Sequence, residues 1–111
     1  MNYFRTTTYI SEIIEQSETQ SVIIFKYSSE CRSSFRLKSK LEKMLEEKTL
    51  TPLIYQVTVQ TEPVLSKKIA ELFKIKHETP QIIILKKGKV IYSAHHNSIK
   101  TEEFASIKTS L

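Results

Sequence analysis

Apolar residues along the chain follow two different periods, and the change of period marks out the elements. Ile10, Ile13 and Ile14 are spaced i, i+3, i+4, which predicts one face of a short helix that Thr7 or Thr8 can cap. Residues 21–27, SVIIFKY, form a continuous run rich in β-branched side chains and predict a buried strand of the parallel kind. From about Cys31 to Lys48 the period lengthens again. Leu37, Leu41, Met44 and Leu45 fall at i, i+4, i+7, i+8, and Lys and Glu fill the opposite face. Thr51-Pro52 interrupts the chain, and residues 53–59, LIYQVTV, predict a second strand. Glu62-Pro63 opens a helix with proline suited to its first turn. Leu65, Ile69, Leu72 and Phe73 then form its inward stripe. Residues 81–86, QIIILK, predict a third strand. Lys87-Gly88 turns the chain into KVIYSAH, so that 82–94 reads as a β-hairpin. A last helix starts at Thr101, with Phe104, Ile107 and Leu111 inward.

The order α-β-α-β-α-β-β-α defines an α/β fold: a central mixed four-stranded sheet flanked by helices on both faces. The two central helices imply right-handed crossovers between parallel strands, closed by an antiparallel hairpin. At 111 residues, without a linker or repeat, the chain reads as one domain spanning 1–111. It is 40% hydrophobic, too apolar for a disordered segment. No apolar run reaches the roughly 20 residues that span a bilayer, and the N-terminus lacks the pattern of a secretory signal. No membrane partner and a cytoplasmic location are therefore expected. The net charge of +5 comes from lysines interleaved with glutamates rather than from a basic run, so no nucleic-acid partner is expected.

Cys31 is the only cysteine, which excludes an internal disulfide. It falls where the first strand hands over to the long helix, beside unpaired first-turn N–H groups and the positive end of the helix dipole. That setting favours thiolate over thiol. The polar neighbours YSSE and RSS suit an exposed junction better than a core. Arg32, Arg36 and Lys26 can add positive charge, while Glu30 opposes it. Ser34 lies three residues on, giving C-R-S-S. Its hydroxyl can hydrogen-bond a thiolate but cannot resolve a mixed disulfide, whereas a second thiol there would; first-turn capping is the other reading of Ser33 and Ser34. Thr79-Pro80 stands directly before QIIIL and marks a strand entrance, since proline cannot sit inside a ladder.

A cysteine at the start of the second helix, X-Pro before the third strand and a closing hairpin resemble the thioredoxin fold. FKYSSEC (25–31), the helix entry around Ser34 and IAELFKIKHETPQIIILKKGKVIYSAHHNSI (69–99) more closely resemble the monothiol bacilliredoxins. The chain departs from that pattern at three places. Arg32 stands where the family has proline, Tyr27-Ser28 where it has His-Ser, and His96 where it has tryptophan.

The resemblance implies a cis bond at Thr79-Pro80, lying against Cys31 and presenting Thr79 backbone groups to a substrate disulfide. It implies that Cys31 takes a low-molecular-weight thiol, bacillithiol or a similar one, from S-thiolated client proteins, and that an external reducing thiol then releases it. No bound cofactor is implied. Bacillithiol carries a malate, so Arg32, Arg36 and Lys26 become candidate binding residues, and His95 a candidate at the rim. Other readings are a non-catalytic peptide-binding module with a modifiable Cys31, a monothiol glutaredoxin-like iron–sulfur protein, although C-G-F-S is absent, and a glutaredoxin-type arsenate reductase. A phosphatase loop needs C-x5-R, and Arg36 gives only C-x4-R. His77, His95 and His96 show no C-x2-C or H-x3-H spacing, so no metal site is expected.

Overall fold

The computed structural model describes residues 3–47 and 53–105. Helix α1 spans Ile10–Ser17, strand β1 Val22–Tyr27, α2 Arg32–Glu46, β2 Leu53–Thr58, α3 Pro63–Phe73, β3 Gln81–Lys86 and β4 Lys89–His95. A 3-10 turn, His96–Ser98, leads to a short helix α4, Thr101–Ala105. Ile107 and Leu111, expected on the inner face of the last helix, lie outside the described residues.

The strands lie in the order β2-β1-β3-β4. β1 pairs parallel with β2 and antiparallel with β3, and β3 pairs antiparallel with β4. Only the first crossover therefore joins parallel strands; the expectation that both would do so is corrected. The physical reason is the length of the second connection. The seven residues 74–80 after α3 can reach up to about 23 Å, enough to retrace a helix of 11 residues. They return the chain to the edge it left, and β3 starts at Gln81 opposite Lys26.

Alternation along the strands separates two cores. Ile23, Phe25, Ile82 and Ile84 face Leu41 of α2, whereas Val22, Ile24, Ile83 and Leu85 face Ile13 of α1 and Leu65 and Ile69 of α3. This is why β1 and β3 read as unbroken apolar runs: both faces are covered. Leu72, expected inward, is 54% exposed, and the inward stripe of α3 ends on Ile69 and the partly buried Phe73. At α1 the cap is Tyr9, with no side-chain cap bond; Thr7 instead accepts from the Tyr9 N–H and donates to Glu12.

Two local devices fix the frame. Lys87 and Gly88 have φ of 52° and 73°, the left-handed pair that a two-residue hairpin turn requires. Ser17 holds that turn, accepting from Lys87 N–H at its carbonyl (2.7 Å) and from Gly88 N–H at its hydroxyl (2.9 Å). Ahead of α1, Arg5 bridges Tyr55 in parallel and covers part of the β2 edge. Among the described residues no helix is long and apolar enough to cross a membrane.

Leu41 is fully buried at the centre of the α2 interface. Leu41→Ala is expected to cost about 2–5 kcal/mol, read as a lower urea midpoint with an unchanged slope.

Candidate active site

The register brings four segments to one edge of the sheet. β1, β2 and β4 end there, and β3 begins there. Cys31 is the N-cap of α2, in extended backbone (φ −114°, ψ 116°). Its side chain is partly exposed, as a reacting thiol requires. Hydrogen bonds from the Ser34 backbone N–H and hydroxyl hold the Cys31 thiol below its ordinary pKa, with weaker help from Ser33; partial burial works against them. The expected cations contribute differently. Arg32 and Arg36 are exposed on the first turns of α2, and the shift arises from hydrogen bonds at the helix N-terminus rather than from their charge.

Ser34 is fully buried, and its hydroxyl also accepts from the Ser28 N–H at 3.3 Å. The loop before Cys31 is built on Ser28 and Gln60. Gln60 donates to the Ser28 hydroxyl (2.8 Å) and accepts from the Ser29 N–H (3.1 Å), while Cys31 N–H donates to the Ser28 carbonyl (3.1 Å). Gln60 carries no local sign of this role. It reaches the loop because β2 is in register with β1, Thr58 opposite Tyr27.

The Thr79-Pro80 bond is cis. Thr79 carbonyl oxygen lies 3.9 Å from Cys31 Sγ, so residues 48 apart in sequence meet at the thiol. Pro80 is buried, and its carbonyl accepts from His96 N–H at 3.1 Å.

Lys26, expected among the cations around the thiol, is placed otherwise. It is fully buried, and strand alternation sends it to the α3 face, opposite Phe25 and α2. Its Nζ donates to the Ser66 carbonyl (2.9 Å) and lies 3.2 Å from His77 Nδ1. Burial lowers the Lys26 pKa to about 8. His77 is lowered in turn, first by burial and then by the Lys26 charge, with Glu78 partly opposing. Gln81, paired with Lys26 across β1 and β3, donates to the Lys76 carbonyl at 2.9 Å. Lys26 thus fastens the loop that carries Thr79 and does not face solvent. His95 ends β4 on the exposed rim, its Nδ1 3.1 Å from that of His96, and His96 Nδ1 is 3.8 Å from a Glu78 carboxylate oxygen. Sequence spacing did not bring these three together.

The sequence model of the monothiol bacilliredoxin BrxC family matches residues 2–104. A solved structure with a thioredoxin fold, provisionally assigned as an oxidoreductase, is 26% identical and superposes with a TM-score of 0.78 over 93% of this chain and 91% of its own. Oxidised thioredoxin from Plasmodium falciparum, 19% identical, gives 0.67 over 92% and 94%. Thioredoxin from Fasciola hepatica, 14% identical, gives 0.66 over 93% and 92%. The two thioredoxins speak for the fold alone. The family match and the first structure support a thiol oxidoreductase-type role.

Two outcomes follow from this geometry. Ser34→Ala removes one hydrogen bond to the thiolate and is expected to raise the Cys31 pKa, whereas Arg32→Gln leaves it in place; the pH dependence of the alkylation rate reads both. For Lys26, the unfolded chain keeps its proton up to about 10.5 and the folded protein releases it near 8. Between those values the unfolded state holds the extra proton, so stability rises with pH across that window. Lys26→Met is expected to stabilise the fold at pH 7, by at most roughly 3 kcal/mol. Denaturant titrations of both chains should show the advantage narrowing above pH 8.

Proposed function

Because the chain belongs to the monothiol bacilliredoxin family, we propose that it removes a low-molecular-weight thiol, bacillithiol, from protein mixed disulfides by a single-thiol route. The observation that carries this reading is Cys31 itself: a partly exposed N-cap thiol, its pKa lowered by Ser34, opposite the Thr79 carbonyl. No second cysteine exists to complete an internal disulfide.

The Cys31 thiolate attacks the bacillithiol sulfur of the client's mixed disulfide. A new S–S bond forms between Cys31 and bacillithiol, and the client leaves as a thiolate, which takes a proton from water. A second bacillithiol thiolate then attacks the Cys31 adduct, regenerating Cys31 and releasing the symmetrical disulfide. No net oxidation falls on the enzyme. Ser34 hydrogen-bonds Cys31 as thiolate attacker and as leaving group, and its hydroxyl cannot intercept the adduct. The exposed Arg32 and Arg36 supply positive charge for the malate carboxylates. Lys26 acts from beneath the loop rather than on the ligand. The backbone of Thr79 at the cis proline positions an extended client segment.

The test incubates the chain with a bacillithiolated client protein and follows both by intact mass. The expected result is transfer of one bacillithiol to Cys31, regeneration of the client thiol and loss of both in Cys31→Ser. A glutathionylated client should react more slowly. Arg32→Glu should slow transfer from the bacillithiolated client without changing alkylation of Cys31 by a neutral reagent. A client that keeps its adduct while Cys31 alkylates readily would overturn the enzymatic reading in favour of a binding module.

A further inference from the structure

Glu78, His95 and His96 come from two segments, the loop before the cis proline and the end of β4. Their donor atoms all lie within 4.8 Å of one another. Adjacent residues in a strand point to opposite faces, so a His-His pair there would not converge. Here His96 leaves the strand with φ of 49°, a left-handed conformation uncommon outside glycine. The rotation brings its ring edge-on to that of His95, with centroids 5.3 Å apart. Ser98 fixes the turn, its hydroxyl accepting from the His95 N–H (3.0 Å) and donating to the His95 carbonyl (2.6 Å).

The separations are those of ligands around one small ion. Metal–nitrogen bonds of about 2.0–2.1 Å in a tetrahedral shell place donors about 3.3 Å apart. The two Nδ1 atoms are 3.1 Å apart, and His96 Nδ1 is 3.8 Å from Glu78 Oε1. The two rings are exposed and can rotate to bring all three donors, now within 4.8 Å of one another, to that spacing. Two imidazoles and one carboxylate match zinc in chemistry, and three protein donors leave a fourth position for water or an external ligand.

We propose that Glu78, His95 and His96 form a zinc site at the rim of the thiol centre. The ion would tie the loop bearing Thr79 to the end of β4, supplementing the bond from His96 N–H to the Pro80 carbonyl. The site is independent of the thiol-transfer reading, because it needs neither Cys31 nor a client.

The test titrates zinc alone into the full chain carrying Cys31→Ser, so that the thiolate cannot compete as a ligand. Calorimetry is expected to show one saturable micromolar site per chain. Histidine ring resonances should shift for His95 and His96 and stay in place for His77. Glu78→Gln, His95→Ala and His96→Ala should each weaken binding at least about ten-fold. Absence of saturable binding, or binding that leaves the His95 and His96 resonances unmoved, would overturn the site, whether or not any variant folds.

Discussion

The reactive edge depends on how the loop 74–80 is fastened to the sheet. That loop belongs to no helix or strand, yet it must hold the Thr79 carbonyl against a thiol at the far side of β1. Its anchors are polar groups set in a row across the strand ends. Lys26 bonds the Ser66 carbonyl and meets His77, Gln81 holds the Lys76 carbonyl, and His96 N–H holds that of Pro80. Lys26 is the costly member. It is fully buried, and its bonding partners in the described residues are a carbonyl and an imidazole rather than a carboxylate. Burying a charge without a counter-charge opposes folding. An apolar residue would cover the same volume but would leave the loop without that hold, so global stability is exchanged for the position of a few backbone atoms.

The thiol is tuned by dipoles rather than by whole charges. The Ser34 N–H and hydroxyl lower the Cys31 pKa, whereas Arg32 and Arg36 are solvated and screened. Solvated arginines remain free to meet an anionic ligand, and the thiolate does not need them to form. The chemistry benefits from moderation. Intrinsic nucleophilicity falls as thiol pKa falls, while leaving ability improves. A single-thiol route needs Cys31 in both roles, first as attacker and then as the group expelled.

Much of the architecture was legible because it rests on periodicity. β1, β3 and the hairpin turn follow from apolar runs and from one glycine at a turn. The less legible features depend on relations between distant segments. The antiparallel sense of β3 is set by the reach of 74–80, which no local pattern encodes. Lys26 reads as a cation near Cys31 by sequence distance, yet strand alternation sends it to the opposite face. Glu78, His95 and His96 escape a spacing search because their convergence needs a left-handed backbone at His96 and a loop from another segment. Gln60 is hidden for a similar reason, since its role exists only through the register of β1 with β2.

The Thr79 carbonyl links recognition to reactivity. Its oxygen lies 3.9 Å from Sγ, where the neutral S–H can donate toward it. Ser34 acts in the opposite sense from the helix side. On the proposed reading, an extended client segment beside the cis proline directs a backbone N–H at this oxygen. The loop anchors at Lys26, Gln81 and His96 keep the Thr79 carbonyl in register with Cys31, which ties the cost of the buried amine to the geometry around the sulfur.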